Sequence, residues 1–452
     1  MAKKSHFTTK IGMIAATVGS AVGLGNVWRF PAEVQANGGA AFLAIYILCV
    51  LILGIPVMLS EFALGRAGHS DAVGVFKRLG ASKRWWGVGI MAIFASYMIL
   101  CFYMVVSGWT FEYLWQSITG GLFSSTDTAS ENAHFALKME QFITDPINPL
   151  INAFAMILIN LGVLIAGVQK GIERISNVMM PLLFLILVVF VGVSLSLPNA
   201  SQGLEYFLKP DFSKISADTV ISALGQAFFS LSLGMGILIT YASYFPKDAK
   251  LTRTALTVSM LDLLVAIMMG LIIFPAVTSF GLAGESLRGT TLVFVTLPEV
   301  FQQMAGSQLW ATLFFLLLTI AALTSTISIA EVSVAFIRDR FNIVRWKACL
   351  IVILPLFVMS TLCSLSLGPL DHIKFAGFNF FDFLDNMATN ILLPIISIFL
   401  CIFIGWFAPK SLLRNELTNH GTLRSRIIKP IMFIIRYIAP VLIALVLISY
   451  FL

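Results

Sequence analysis

Eleven stretches of roughly 20 mostly apolar residues follow one another along this chain, and nothing constrains its fold more. Inside a bilayer every backbone N–H and C=O must find a partner within the protein, so only helices and closed barrels can span it. Barrel strands alternate polar and apolar residues over about ten positions, and these stretches do not. Helices are therefore expected over residues 11–35, 40–65, 87–116, 149–167, 173–197, 221–243, 252–279, 307–337, 347–366, 384–408 and 430–451. Only 11% of the residues are charged, against roughly 25% in a soluble domain, too few to clothe a water-facing surface. That excludes a soluble enzyme, a disordered chain and a nucleic-acid-binding domain. The expectation is an all-α polytopic membrane protein, one transmembrane domain over residues 1–452 embedded in a lipid bilayer.

The charges that remain are sorted. If the amino terminus is cytoplasmic, about 22 of the 29 Lys+Arg fall on its side, while the outer loops hold only Lys138, Lys209, Lys214, Arg288 and Lys374. This positive-inside bias, with eleven spans, puts the amino terminus inside and the carboxyl terminus outside. The formal net charge of +7 thus marks orientation rather than a nucleic-acid partner. The outer loop 117–148 carries Asp127, Glu131, Glu140 and Asp145, and 280–306 reads as a short helix dipping towards the membrane, a candidate lid. Cys49, Cys101, Cys349, Cys363 and Cys401 have no paired or metal-like spacing and read as small buried hydrophobes. The first apolar stretch lacks a small-residue cleavage pattern and is expected to stay in the mature protein.

Two spans are poor lipid-facing material. The first contains Gly19-Ser20-Ala21-Val22-Gly23-Leu24-Gly25-Asn26, followed by Trp28-Arg29-Phe30-Pro31. Close packing through small residues accounts for the glycines but not for Asn26 or Arg29. An unwound segment turning its carbonyls towards a cation accounts for all of them. The sixth span repeats the pattern from Gly225 to Gly236, with Gln226, Phe229, Ser230, Ser232 and Met235 between. Two glycine-interrupted spans five helices apart point to an inverted repeat with its site at the midplane. Repeat one would run over about 11–197 and repeat two over about 221–408, leaving an extra helix at 430–451. In the eighth span Ala321-Ala322-Leu323-Thr324-Ser325-Thr326 supplies hydroxyls that either bond the preceding turn or ligate an alkali cation. Asp262, inside the seventh span, is a functional candidate by its cost alone, and no base stands at matching depth.

These residues carry a resemblance. The run from Gly19 to Pro31 closely resembles the first-helix signature of the neurotransmitter:sodium symporters. Asn37-Gly38-Gly39-Ala40-Ala41-Phe42, Gly54-Ile55-Pro56 with Glu61 and Gly65-Arg66, Gly171-Ile172-Glu173-Arg174 and the sixth-span run are similar to the same family. The inverted repeat and its midplane site are established features of that family. The resemblance implies sodium-coupled uptake (two Na+ ions) of an amino acid or related amine, and no enzymatic activity. One sodium site would use the Ala21 carbonyl, Asn26, Ser230, Asp262 and the substrate carboxylate. The second would use the Gly19, Val22 and Ala321 carbonyls with Thr324 and Ser325.

The resemblance further implies that the substrate carboxylate meets the Leu24 and Gly25 amides and the Tyr103 hydroxyl. Its ammonium would meet the Ala21, Phe229 and Ser232 carbonyls. Ser20, Ile99, Phe229, Ser232, Met235, Ser325 and Ile329 would line the side-chain pocket. Arg29 with Asp385 would form an outer gate over Tyr103 and Phe229, and Lys4, Tyr244 and Asp339 an inner gate, with Phe7 where tryptophan is common. The alternative reading for Asp385 and Asp339 is a solvated charge at a loop end. Asp262 stands where asparagine is frequent, and Ala266 where chloride-dependent members have serine, so chloride is expected not to be required. Tyr46, Gln226 and Ser230 match the remaining chloride-site positions. The pocket positions are not ionisable, and Gly23 stands where amine carriers have an aspartate. A neutral, hydrophobic or aromatic L-amino acid is the expected substrate. Eleven spans match a bacterial subset without a twelfth helix, which implies the bacterial cytoplasmic (inner) membrane and leaves the oligomeric state open. The competing readings are a sodium-conducting channel and a non-transporting membrane sensor. Gates at both ends argue against the first, and the lack of a soluble output domain against the second.

Overall fold

The computed structural model describes residues 6–79, 84–124, 134–282, 289–423 and 426–451. Among the described residues the regular structure is helical, with one isolated bridge between Phe375 and Phe378. Each expected span is a helix. Helix 1 has two halves, Lys10–Ala21 and Gly25–Ala36, bent by 52°. Helix 2 is Ala40–Gly68 and helix 3 is Trp86–Thr119. The run Asn148–Leu195 is longer than any bilayer needs and supplies helices 4 and 5. It folds back where Gly167 takes a left-handed φ of 95° and Gly171 returns against the Val163 carbonyl. Helix 6 is again in two halves, Ala217–Ser230 and Ile237–Ala242. Helices 7 to 11 are Leu251–Ser279, Ser307–Phe341, Arg345–Leu365, Phe380–Phe407 and Ile428–Ser449.

Burial orders these helices. In the most apolar window of helix 8, 89% of residues are buried inside the protein, against 22% in helix 11. Helix 8 is thus central and helix 11 mostly faces lipid. Among the described residues helices 3 and 8 pack together most extensively, and the broken helices 1 and 6 lie against them and helices 2, 5 and 7. The five cysteines are buried and unpaired, as small hydrophobes are expected to be.

The breaks follow from local chemistry. After Ala21 the chain turns extended at Val22, which leaves amides of the next turn without helical partners. The Gly23 amide donates to Asn26 Oδ1 at 3.2 Å and the Leu24 amide to the Tyr103 hydroxyl at 3.0 Å. Gly23 has no room for a side chain, since a Cβ would lie 2.6 Å from Ser325 Oγ. In helix 6, Ser232, Gly234 and Gly236 have φ of 54°, 78° and 74°. Three left-handed residues in five cannot continue a helix. The freed Gly234 amide donates to Glu61 Oε1 of helix 2 at 2.8 Å.

Candidate functional site

Asp262 sits wholly buried in helix 7 and is held from three sides. Asn26 Nδ2, in the break of helix 1, donates to Asp262 Oδ1 at 2.8 Å and to Ser230 Oγ at 3.1 Å. The Ser230 hydroxyl, at the last turn before the helix 6 break, lies 2.7 Å and 2.9 Å from the two carboxylate oxygens. The Tyr46 hydroxyl of helix 2 donates to Oδ2 at 3.4 Å. An isolated carboxylate at this depth would be very costly, and these donors offset part of that cost. Gln226 lies beside the cluster, its Nε2 3.4 Å from the Gly25 carbonyl and its Oε1 without a partner among the described residues.

A second oxygen cluster joins helix 1 to helix 8. Ser325 Oγ donates to the carbonyls of Gly19 and Val22, each at 3.3 Å. Thr324 Oγ1 lies 3.1 Å from the Ala321 carbonyl. Gly19 packs directly on Thr324, leaving only 3.1 Å to Thr324 Cβ for any added carbon. The structure therefore brings together the five residues that sequence placed in one cation set. This is the hard, neutral oxygen chemistry that suits an alkali cation rather than a transition metal.

Between the two clusters lie the expected pocket residues. Ser232 Oγ donates to the Ser20 carbonyl at 2.8 Å, which ties the break of helix 6 to the end of helix 1. Ala21, Leu24, Ile99, Met235 and Ile329 are buried, and Gly25 packs against the Phe229 ring. Tyr103 reaches from helix 3 to the Leu24 amide, as described above.

Above this point a cavity of about 540 Å3 opens, with Leu24, Gly25, Tyr103 and Phe229 at its inner end and Arg29 and Asp385 on its walls. The Arg29 guanidinium lies 4.8 Å from the centre of the Phe229 ring. Its ion pair, however, is with Glu33 at 3.8 Å, one turn on in the same helix. Asp385 instead accepts from Thr389 Oγ1 at 3.3 Å, and among the described residues no ion pair links it to Arg29. The expected Arg29–Asp385 pair is thus open here, because Glu33 lies within reach on the same helix face. The short helix expected within 280–306 is present as Gly289–Gln302, and its first turns line this cavity. Residues 283–288 of the candidate lid lie outside the described residues.

The opposite end is shut. Tyr244 donates its hydroxyl to Glu331 Oε1 at 2.9 Å, and Arg345 pairs with Glu331 at 2.5 Å. The Phe7 amide donates to the Tyr244 carbonyl at 3.1 Å, and its ring meets Tyr241 edge-on. Glu173 of helix 5 accepts from the Thr8 and Thr9 amides at 2.8 and 2.9 Å, which pins the start of helix 1. Asp339 pairs with its neighbour Arg338, whose guanidinium lies 6.0 Å from the Tyr244 ring centre. Lys4 lies outside the described residues. Sequence reasoning missed Glu331 and Arg345. The available signal was an acid two turns after Thr324 in an otherwise apolar span, on the same helix face as the hydroxyls.

The chain's similarities run the same way. The model of the sodium:neurotransmitter symporter family matches residues 4–134 and 124–452. The chain is 35% identical over 444 residues to an uncharacterized sodium-dependent transporter, YhdH, of Bacillus subtilis, covering 98% of this chain and 97% of that one. It is 32% identical to an uncharacterized sodium-dependent transporter of Haemophilus influenzae, over 99% of this chain and 98% of the other. Among solved structures, MhsT in complex with L-phenylalanine matches with a TM-score of 0.89 at 38% identity, over 99% of this chain and 100% of that one.

Proposed function

This chain belongs to the sodium:neurotransmitter symporter family, and from that premise we propose that it imports a neutral, hydrophobic or aromatic L-amino acid with two sodium ions. That it is a multi-pass, sodium-dependent membrane transporter of a small molecule follows from the family; the substrate, the ion count and the routes below are our reading. The observation that carries it is the convergence at the helix 1 break. There the Gly19 and Val22 carbonyls turn to Ser325, the Leu24 amide to Tyr103, and Asn26 to Asp262.

One sodium ion would sit among the Ala21 carbonyl, Asn26, Ser230 and Asp262, with Asn26 presenting its amide oxygen in place of its nitrogen. The other would sit among Gly19, Val22, Ala321, Thr324 and Ser325. The substrate carboxylate would meet the Leu24 and Gly25 amides with Tyr103, and also the first ion. Each of the two then binds more tightly when the other is present, which is a coupling free energy. The membrane potential adds about 2.3 kcal/mol per charge per 100 mV. With the amino terminus inside, Arg29, Asp385 and Phe229 form the outer gate, and Tyr244, Glu331, Arg345 and Asp339 the inner one. Helices 1–5 and 6–10 form the inverted repeat, and rocking of helices 1, 2, 6 and 7 would alternate access. The apolar walls at Ile99, Phe229, Met235 and Ile329, none of them ionisable, favour an apolar substrate side chain.

Asp262 accepts from Tyr46 and Ser230, which with Gln226 match the positions that hold chloride in chloride-dependent relatives. Its carboxylate would supply that negative charge permanently, and its protonation in the return step would make protons the counter-ion. Two experiments test the reading. Uptake into proteoliposomes should be competed by leucine, tyrosine and tryptophan; inhibition confined to lysine or to amines without a carboxylate would refute the substrate class. Transport by the wild type should ignore chloride, whereas Asp262→Asn should require it. Chloride stimulation of the wild type, or a chloride-indifferent Asp262→Asn, refutes the charge replacement.

A further inference from the structure

We propose that the cavity between the start of helix 7 and the segment joining helices 10 and 11 binds the headgroup of an anionic phospholipid. The cavity has a volume of about 390 Å3 and is rimmed by Lys250, Arg253 and Arg426, with no carboxylate in its lining. On the same face Lys10, Arg66, Arg338 and Arg345 each hold an acid. Lys250, Arg253 and Arg426, all exposed, form no ion pair or side-chain hydrogen bond among the described residues. Three like charges around one hollow repel each other unless an anion enters it, and phosphate oxygens match the guanidinium fork.

The walls are held in place without the ligand. Arg66 donates to the Ala249 carbonyl at 2.6 Å and pairs with Glu416 at 2.5 Å. Those two residues immediately precede Lys250 and Leu417, so a buried guanidinium sets the distance between the two sides of the cavity. The floor is apolar, with Leu251 and Leu417 buried.

What distinguishes a lipid from a free phosphate is the surface leading away from the cavity. Along helix 7, Leu256, Met260 and Leu264 are each 43% exposed, at a spacing of four residues. They form one outward apolar stripe that starts at the cavity and runs into the span. Ile427, on the other wall, is also exposed. A phosphodiester between the three bases would thus place its acyl chains on a continuous apolar track. Basic pockets on the face of a membrane protein that carries its positive loops are where anionic headgroups gather.

The full-length protein, purified in neutral detergent, should be titrated with phosphatidylglycerol, phosphatidylcholine and inorganic phosphate and read by native mass spectrometry. Neither transport nor orientation enters the readout. The wild type should retain phosphatidylglycerol at least about tenfold better than phosphatidylcholine, and excess inorganic phosphate should not displace it. The triple change Lys250→Gln, Arg253→Gln, Arg426→Gln should bring that preference below about twofold. A control triple on the same face, Lys77→Gln, Lys347→Gln, Lys410→Gln, removes equal charge and should leave it intact. Equal loss in both triples would reduce the effect to the general positive field and overturn the site. Displacement by inorganic phosphate, or equal retention of phosphatidylcholine, would overturn the lipid assignment.

Discussion

At one end of the central helices Arg29 and Asp385 stand on the walls of an open cavity; at the other, Glu331, Arg345, Tyr244 and Phe7 are packed shut. The chemistry of the two ends is alike, a base, an acid and an aromatic ring, but the surroundings differ. Arg29 and its partner Glu33 are each more than a quarter exposed, so water screens them and holding them apart costs little. Glu331 has no exposed side-chain surface, and its partner Arg345 is only 15% exposed. A charge pair so placed must be broken as a unit, because either partner left alone is a buried, unpaired charge. On our reading of the two gates, alternating access is therefore asymmetric in energy, and the inner gate sets the larger barrier.

The largest expected effect comes from breaking the closed end. Glu331→Gln should destabilise the protein by about 3–5 kcal/mol, visible as a lower unfolding temperature in detergent, because Arg345 is left unpaired. Adding Arg345→Gln should recover much of that loss; if the double variant is as unstable as the single one, the pair is not what closes this end. Next is Gly23→Ala at the junction of the two ends. Its Cβ would lie 2.6 Å from Ser325 Oγ and 2.9 Å from the Tyr103 hydroxyl, displacing groups that hold the helix 1 break. A stability loss of about 1–3 kcal/mol is expected, together with loss of substrate binding by equilibrium dialysis.

Tyr244→Phe removes one hydrogen bond to Glu331 while keeping the ring under Arg338, and should cost about 1 kcal/mol. Cys349, one turn past Arg345 and buried, is a native reporter for it: labelling by a polar thiol reagent should rise in this variant. Unchanged labelling would separate the Tyr244 bond from closure. The smallest effect belongs to the open end. Asp385→Asn should leave stability within about 0.5 kcal/mol of the parent while slowing transport, since Asp385 makes no ion pair with Arg29 in this conformation. A stability loss as large as that of Glu331→Gln would erase the asymmetry.

The eleven spans were readable in the sequence to within a few residues. A bilayer removes the alternatives to a helix, so apolar length alone decides. Both breaks were readable too, because glycine pairs, Asn26 and Ser230 are residues that a lipid-facing helix has no use for. What sequence reading lacked was the partners of the gate charges. Arg345, one of the bases counted on the amino-terminal side, turns inward to Glu331 because helices 8 and 9 pack together there. Arg29 was matched to Asp385 across 356 positions, when the local i,i+4 partner Glu33 was nearer. The first miss is a tertiary pairing with no local signal. The second is a local rule that the distant match overrode.

Binding of labelled L-phenylalanine to the purified protein as a function of sodium concentration tests the central claim most directly. If substrate and two ions share the helix 1 break, binding should vanish without sodium and rise with a Hill slope approaching two, falling towards one in Thr324→Ala. Binding that persists without sodium, or a slope of one in the parent that Thr324→Ala leaves unchanged, would contradict it.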